Sequence, residues 1–105
     1  MITDLTLLEA AAALHRGDFS SRELTQACLD RITMLEPELH AFLHIAQESA
    51  LEQADAADKK LSEARRSNTS IHPLLGIPLA VKDVLAMEGM PCTCGSRILE
   101  GYVPP

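Results

Sequence analysis

The 105-residue chain has no tryptophan, one tyrosine and two phenylalanines. Aromatic rings bury more area than any aliphatic side chain, so a core built on them is excluded and burial must come from Ala, Leu, Ile and Val. Cations are also scarce, with nine Lys and Arg against fifteen Asp and Glu and a formal charge of −6. Displacing counterions from a phosphate backbone needs clustered Lys and Arg, so no direct nucleic-acid binding by this segment is expected. No apolar run approaches the ~20 residues of a membrane span. The opening Met1-Ile2-Thr3-Asp4 lacks the basic and apolar stretches of a secretory leader, and a reducing, cytoplasmic setting without a membrane partner is expected. The three cysteines include no Cys-x-x-Cys pair. The Cys92-x-Cys94 spacing and the scattered His15, His40, His44 and His72 fit packed or free side chains better than metal ligands. There is no glycine-rich phosphate loop, internal repeat or low-complexity segment.

What is present is a grammar of helix starts. Thr6 and Glu9 form a Thr-x-x-Glu capping box ahead of Leu7, Leu8, Ala11, Ala12 and Leu14, which predicts a helix over 7–15 ending before Gly17. Ser20 and Glu23 repeat the signal, and Leu24, Ala27, Cys28, Ile32 and Leu35 recur at steps of three and four up to Pro37. That predicts a second helix over 21–35, packed on the first as a hairpin spanning 6–36. Period two over 40–46, with Ala41, Leu43 and Ile45 on one side, predicts a short strand. Residues 47–65 return to helical spacing, with Ala50, Ala54, Ala57, Leu61 and Ala64 on one face and acidic and basic side chains around the rest. Those charges read as a solvated face.

Residues 74–81 are apolar throughout and run directly into Lys82-Asp83, as a buried strand would. Alternation places Ile77, Leu79, Val81 and Asp83 on one face and Pro78, Ala80 and Lys82 on the other. Local spacing leaves two readings open: a strand leaving the core into solvent at Lys82, or a functional lysine whose pKa, ~10.4 when free, is lowered by burial. The tail, 84–105, has no clean period. One domain of α/β class is expected, divided into the hairpin 6–36, a strand and helix 40–65, a lysine-bearing strand 74–83 and the irregular tail.

At this point a family resemblance appears. Leu75-Gly76-Ile77-Pro78-Leu79-Ala80-Val81-Lys82-Asp83 is similar to the first catalytic motif of the amidase-signature family. Cys94-Gly95-Ser96-Arg97-Ile98-Leu99 and Tyr102-Val103-Pro104-Pro105 resemble its aminoacyl-tRNA amidotransferase branch. The resemblance covers essentially the whole chain. It implies the first elements of a larger mixed-sheet fold and a Ser-cisSer-Lys triad, in which Lys82 takes the lysine position and, through a bridging serine, accepts the proton of a nucleophilic serine. None of the chain's own serines stands in the family's glycine- and serine-rich context, so both serines and the oxyanion hole are expected beyond Pro105 and the segment alone is expected to be inactive. By the same resemblance the whole enzyme hydrolyses glutamine and supplies ammonia for converting Glu-tRNA(Gln) to Gln-tRNA(Gln). B and C subunits would be its partners, with ATP and tRNA handled by them and no cofactor bound by this segment. Two alternatives stay open: a small-molecule amidase of the same family, and a non-catalytic remnant.

Overall fold

The computed structural model describes residues 1–105 and contains three α-helices: α1 (Leu7–Arg16), α2 (Ser21–Leu39) and α3 (Gln47–Ser67). Short 3-10 turns lie at Ile2–Asp4 and Arg97–Leu99, and there is no β-strand. The α/β expectation is therefore corrected to an all-helical fold with long irregular segments. A strand exists only when its N–H and C=O groups find a neighbouring strand, and neither apolar alternating segment finds one. Over 40–46 the chain leaves α2 through His40 at a positive φ of 48°, and the Phe42 N–H donates to the Glu36 carboxylate at 2.8 Å. Residues 74–77 form turns, Leu75 N–H to His72 C=O and Ile77 N–H to Leu74 C=O. Beyond them the amides of Leu79, Ala80, Val81 and Lys82 have no backbone partner.

Both capping boxes form as the spacing predicts. Thr6 and Ser20 side chains accept from Glu9 and Glu23 N–H, and the glutamate side chains return to the cap N–H groups. The helix faces are less regular than their pattern. On α1 the buried residues are Ala10, Ala11, Ala13 and Leu14, whereas Leu8 is 78% exposed. An alanine-rich helix carries little information on its own rotation, because Ala tolerates either environment. Helix α2 runs past Pro37 to Leu39. A proline in the final turn removes a single helical hydrogen bond, at a place where carbonyls already lack helical donors.

Helix α3 follows its pattern: Ala54, Ala57, Leu61 and Ala64 are buried. Its small-residue stripe lies mainly against α2, with α1 meeting it more briefly. Ala10, Leu14, Leu24 and Leu61 make the central cluster, and Ile71, Leu75 and Ile77 pack against its edge.

Two charged residues flanking that stripe join the helices. The Asp58 carboxylate accepts from Ser21 N–H at 2.6 Å and from Arg22 N–H at 3.1 Å. The capping box serves Ser20 N–H and Glu23 N–H at 2.7 and 3.0 Å, so each of the four leading amides of α2 has a partner. Seven residues on, Arg65 donates to the Leu14 carbonyl at the end of α1 at 2.9 Å, where Gly17 turns the chain at φ 80°. Seven residues are about two helical turns, so both side chains leave the same face of α3. An anion meets a helix N-terminus and a cation meets a C-terminus, the favourable sense of both macrodipoles. Asp58→Ala is expected to lower stability by about 1–3 kcal/mol. Asp55→Ala, which breaks a half-exposed pair with Arg22, is expected to cost less than about 1 kcal/mol. Urea unfolding followed by circular dichroism measures both, and equal losses would contradict the distinction.

Candidate active site

The apolar motif is held to the helices at one point. Ser21, 1% exposed, donates its hydroxyl to the Gly76 carbonyl at 2.7 Å. Gly76 has φ 84°, and a methyl there would stand 3.2 Å from Leu61 Cδ1 and from the Cβ and Oγ of Ser21. A Cβ there would press on these neighbours and strain the left-handed backbone, so glycine suits the position best. The motif therefore touches α2 and α3 through its backbone, and Leu75 and Ile77 on either side complete the contact.

The second anchor lies at Asp83. Its carboxylate accepts the Thr93 N–H at 2.9 Å and the Gly95 N–H at 3.3 Å, and also the Thr93 hydroxyl. Its carbonyl accepts the Cys94 N–H at 3.0 Å and the Cys92 thiol at 3.5 Å. Cys94 and Gly95 both have positive φ in the turn closed by Ser96 N–H on Thr93 C=O, which points successive N–H groups inward as an anion-binding nest does. The Thr93 hydroxyl, then its amide, hold the Asp83 carboxyl below its ordinary value. Burial pushes the Cys92 thiol up, which keeps it protonated as a donor. Behind this turn, Gly89 N–H and Cys92 N–H reach Pro104 C=O and Tyr102 C=O, each at 3.1 Å, so the end of the chain backs the loop.

Lys82 sits beside this anchor, exposed, its side chain making no hydrogen bond or ion pair within the chain. The burial that would make it a base is not supplied by these residues. Just before it, residues 74–81 form one wall of a groove of about 630 Å³, closed on the other side by α2, α3 and the 42–46 segment. The lining is mostly apolar, and its rim leaves Leu79 and Val81 67% and 44% exposed. No three His, Cys, Asp or Glu side chains converge as metal ligands would, and no helix is long and apolar enough to cross a membrane.

Sequence reasoning singles out Lys82 and passes over Ser21, Asp58, Asp83 and Thr93. A signal for Asp83 exists in the Thr-Cys-Gly-Ser run, whose small and turn-forming residues suit a nest. Ser21 and Asp58 carry no such signal, since their pairing joins helices across 37 residues.

Known proteins match along nearly the full chain. The amidase family model covers residues 23–105. The A subunit of glutamyl-tRNA(Gln) amidotransferase from Chloroflexus aurantiacus is 50% identical over 101 residues, 96% of this chain and 20% of that protein. Its counterpart in Roseiflexus sp. is 49% identical, and that in Salinispora arenicola 47%, each over 104 residues, 99% of this chain and 20% of the relative. The chain thus spans about a fifth of the length of the curated relatives it matches.

The Asp83 anchor has a pH signature. Its carboxyl ionises more readily when the 92–95 turn is closed than at the ordinary value of 3.8. The stabilisation is therefore complete well above 3.8 and is lost as pH falls through the lower folded value. The Thr93 and Gly95 amide resonances are expected to titrate below pH 3.8 and to stop doing so in Asp83→Asn. A midpoint at or above 3.8 would contradict this geometry.

Proposed function

Because the chain belongs to the amidase family, we propose that it is the lysine-bearing part of the glutamine-hydrolysing A subunit in an amidotransferase, with Lys82 as the base of its Ser-cisSer-Lys triad. One observation carries the reading: the motif ending in Lys82 is anchored on both sides, at Gly76 and at Asp83, while the Lys82 side chain itself is left free. A lysine locked against a carboxylate keeps its proton, whereas a base must give up its charge to accept one.

The chemistry assigned to the residue is proton transfer. Neutral Lys82 Nζ accepts a proton relayed by one serine from another, whose oxygen attacks the glutamine amide carbonyl; the same proton returns through the relay to the amide nitrogen, the C–N bond breaks, and ammonia leaves as the acyl-enzyme forms. Water then hydrolyses the ester. The two serines and the oxyanion donors are assigned to the remainder of an amidase-length chain, since no serine of these 105 residues hydrogen-bonds Lys82. The same remainder is the natural cover for the groove along 74–81, a stretch that ends one residue before Lys82. Transfer of the ammonia to Glu-tRNA(Gln) accords with the relatives' name, and the handling of ATP and tRNA by B and C subunits is what the family resemblance implies; both are part of the proposal. No cofactor is assigned to this segment.

The experiment replaces the matched fifth of the Chloroflexus aurantiacus protein with this chain and measures ammonia release from glutamine in the assembled enzyme. Lys82→Ala is expected to lower the rate by about 10²–10⁴-fold with folding intact. A Lys82→Ala chimaera as active as its parent would return the lysine to a solvent-exit role. Full activity on simple amides with no response to B and C subunits would favour the small-molecule amidase reading.

A further inference from the structure

The bridge from Gly76 to Asp83 has anchors at its ends and no backbone hydrogen bond from the amides of 79–82. Lys82 is the last residue before the second anchor. Its carbonyl accepts the Leu85 N–H at 3.0 Å, and the nearest upstream hold is Ile77, bonded to Leu74 and packed on the core, so the main chain at Lys82 is set mainly from the side of Asp83 and the turn that follows it. Asp83 is held unusually well for a half-exposed residue, because side chain and main chain both bind the 92–95 turn. Thr93 gives the same carboxylate both its amide and its hydroxyl.

Asp83 does not act by pairing with Lys82, because its oxygens are occupied by the turn and no ion pair joins the two. Neutralising the ammonium would in any case work against a base. What the arrangement supplies is a fixed peptide immediately after the lysine. For a proton relay through a bridging serine, a displacement of about 1 Å at the base costs on the order of 10²-fold in rate, so a restraint on the adjacent residue matters to the chemistry.

We propose that Asp83, braced by Thr93, is a positioning residue that fixes the main chain beside Lys82 and so sets where the lysine nitrogen can reach. The inference rests on the reading of Lys82 as the base. Its test uses the assembled chimaera, with kcat expressed per folded molecule. Asp83→Ala and Thr93→Val are each expected to lower kcat by about 10- to 100-fold, with KM for glutamine within about two-fold and a displaced pH profile. Thr93→Ser, which keeps the hydroxyl, is expected to restore most of the rate. The double variant Asp83→Ala/Thr93→Val should be no worse than the poorer single one, as coupled partners behave. Should Asp83→Ala not fold, the Thr93→Val and Thr93→Ser pair decides the matter alone. Wild-type kcat in Thr93→Val, equal loss in Thr93→Val and Thr93→Ser, or a loss explained by the folded fraction with an unchanged pH profile would each overturn the proposal. Lys82→Ala separates the two levels. If it is inactive while Thr93→Val is fully active, only the positioning role fails, and if it is fully active the base assignment fails first.

Discussion

The Ser21 hydroxyl bonds the Gly76 carbonyl while the Ser21 amide bonds Asp58, and this joint couples the helices to the segment that bears the lysine. Ser21 is the first residue of α2, where an amide has no helical partner, so a carboxylate from α3 can take it without disturbing the helix. The side chain of the same residue is then free to face outward from the helix start and receive the motif. Remove the joint and only the packing of Leu75 and Ile77 holds Gly76 near Leu61, so the apolar bridge loses its polar anchor. Arg65 performs the complementary task on α1, so that α3 holds both ends of the turn from which Ser21 projects.

The helices make a support with one face unfinished. Only 14 of the 105 residues are buried, and the accessible surface is 7553 Å², where a compact monomer of this size exposes about 5,800 Å². The radius of gyration is 15.4 Å against about 13 Å for a compact chain of this length. The apolar groove and the bridge 77–82 contribute to that excess, with Leu79 and Val81 among the exposed apolar side chains. The 74–81 wall of the groove ends at Val81, one residue before Lys82.

Helix starts are legible in the sequence because capping is local: Thr6 with Glu9 and Ser20 with Glu23 carry their whole geometry within four residues. The α3 stripe is legible because Leu61 and its alanines repeat strictly. Alternation at 40–46 and 74–83 suggests strands that do not form, because it describes how side chains could sort, whereas a strand depends on partners that a one-dimensional pattern does not contain. Lys82 is singled out through the motif around it. The residues that anchor the segment on either side are not, since Ser21 and Asp58 read as an ordinary helix start and a solvated charge, and Thr93 is hidden between two cysteines that draw attention to thiol chemistry. Non-local hydrogen bonds from common polar residues leave no spacing to detect.

The lysine-bearing bridge hangs between two anchors without belonging to a sheet, and amide hydrogen exchange in the 105-residue chain tests this most directly. Protection is expected at Ser21 and Arg22, where Asp58 accepts, and at Thr93 and Cys94, where Asp83 accepts, with rapid exchange at Leu79, Ala80, Val81 and Lys82 between them. Protection across 79–82 as strong as that of the helices would be a contradiction, because it would mean that this segment forms a paired strand.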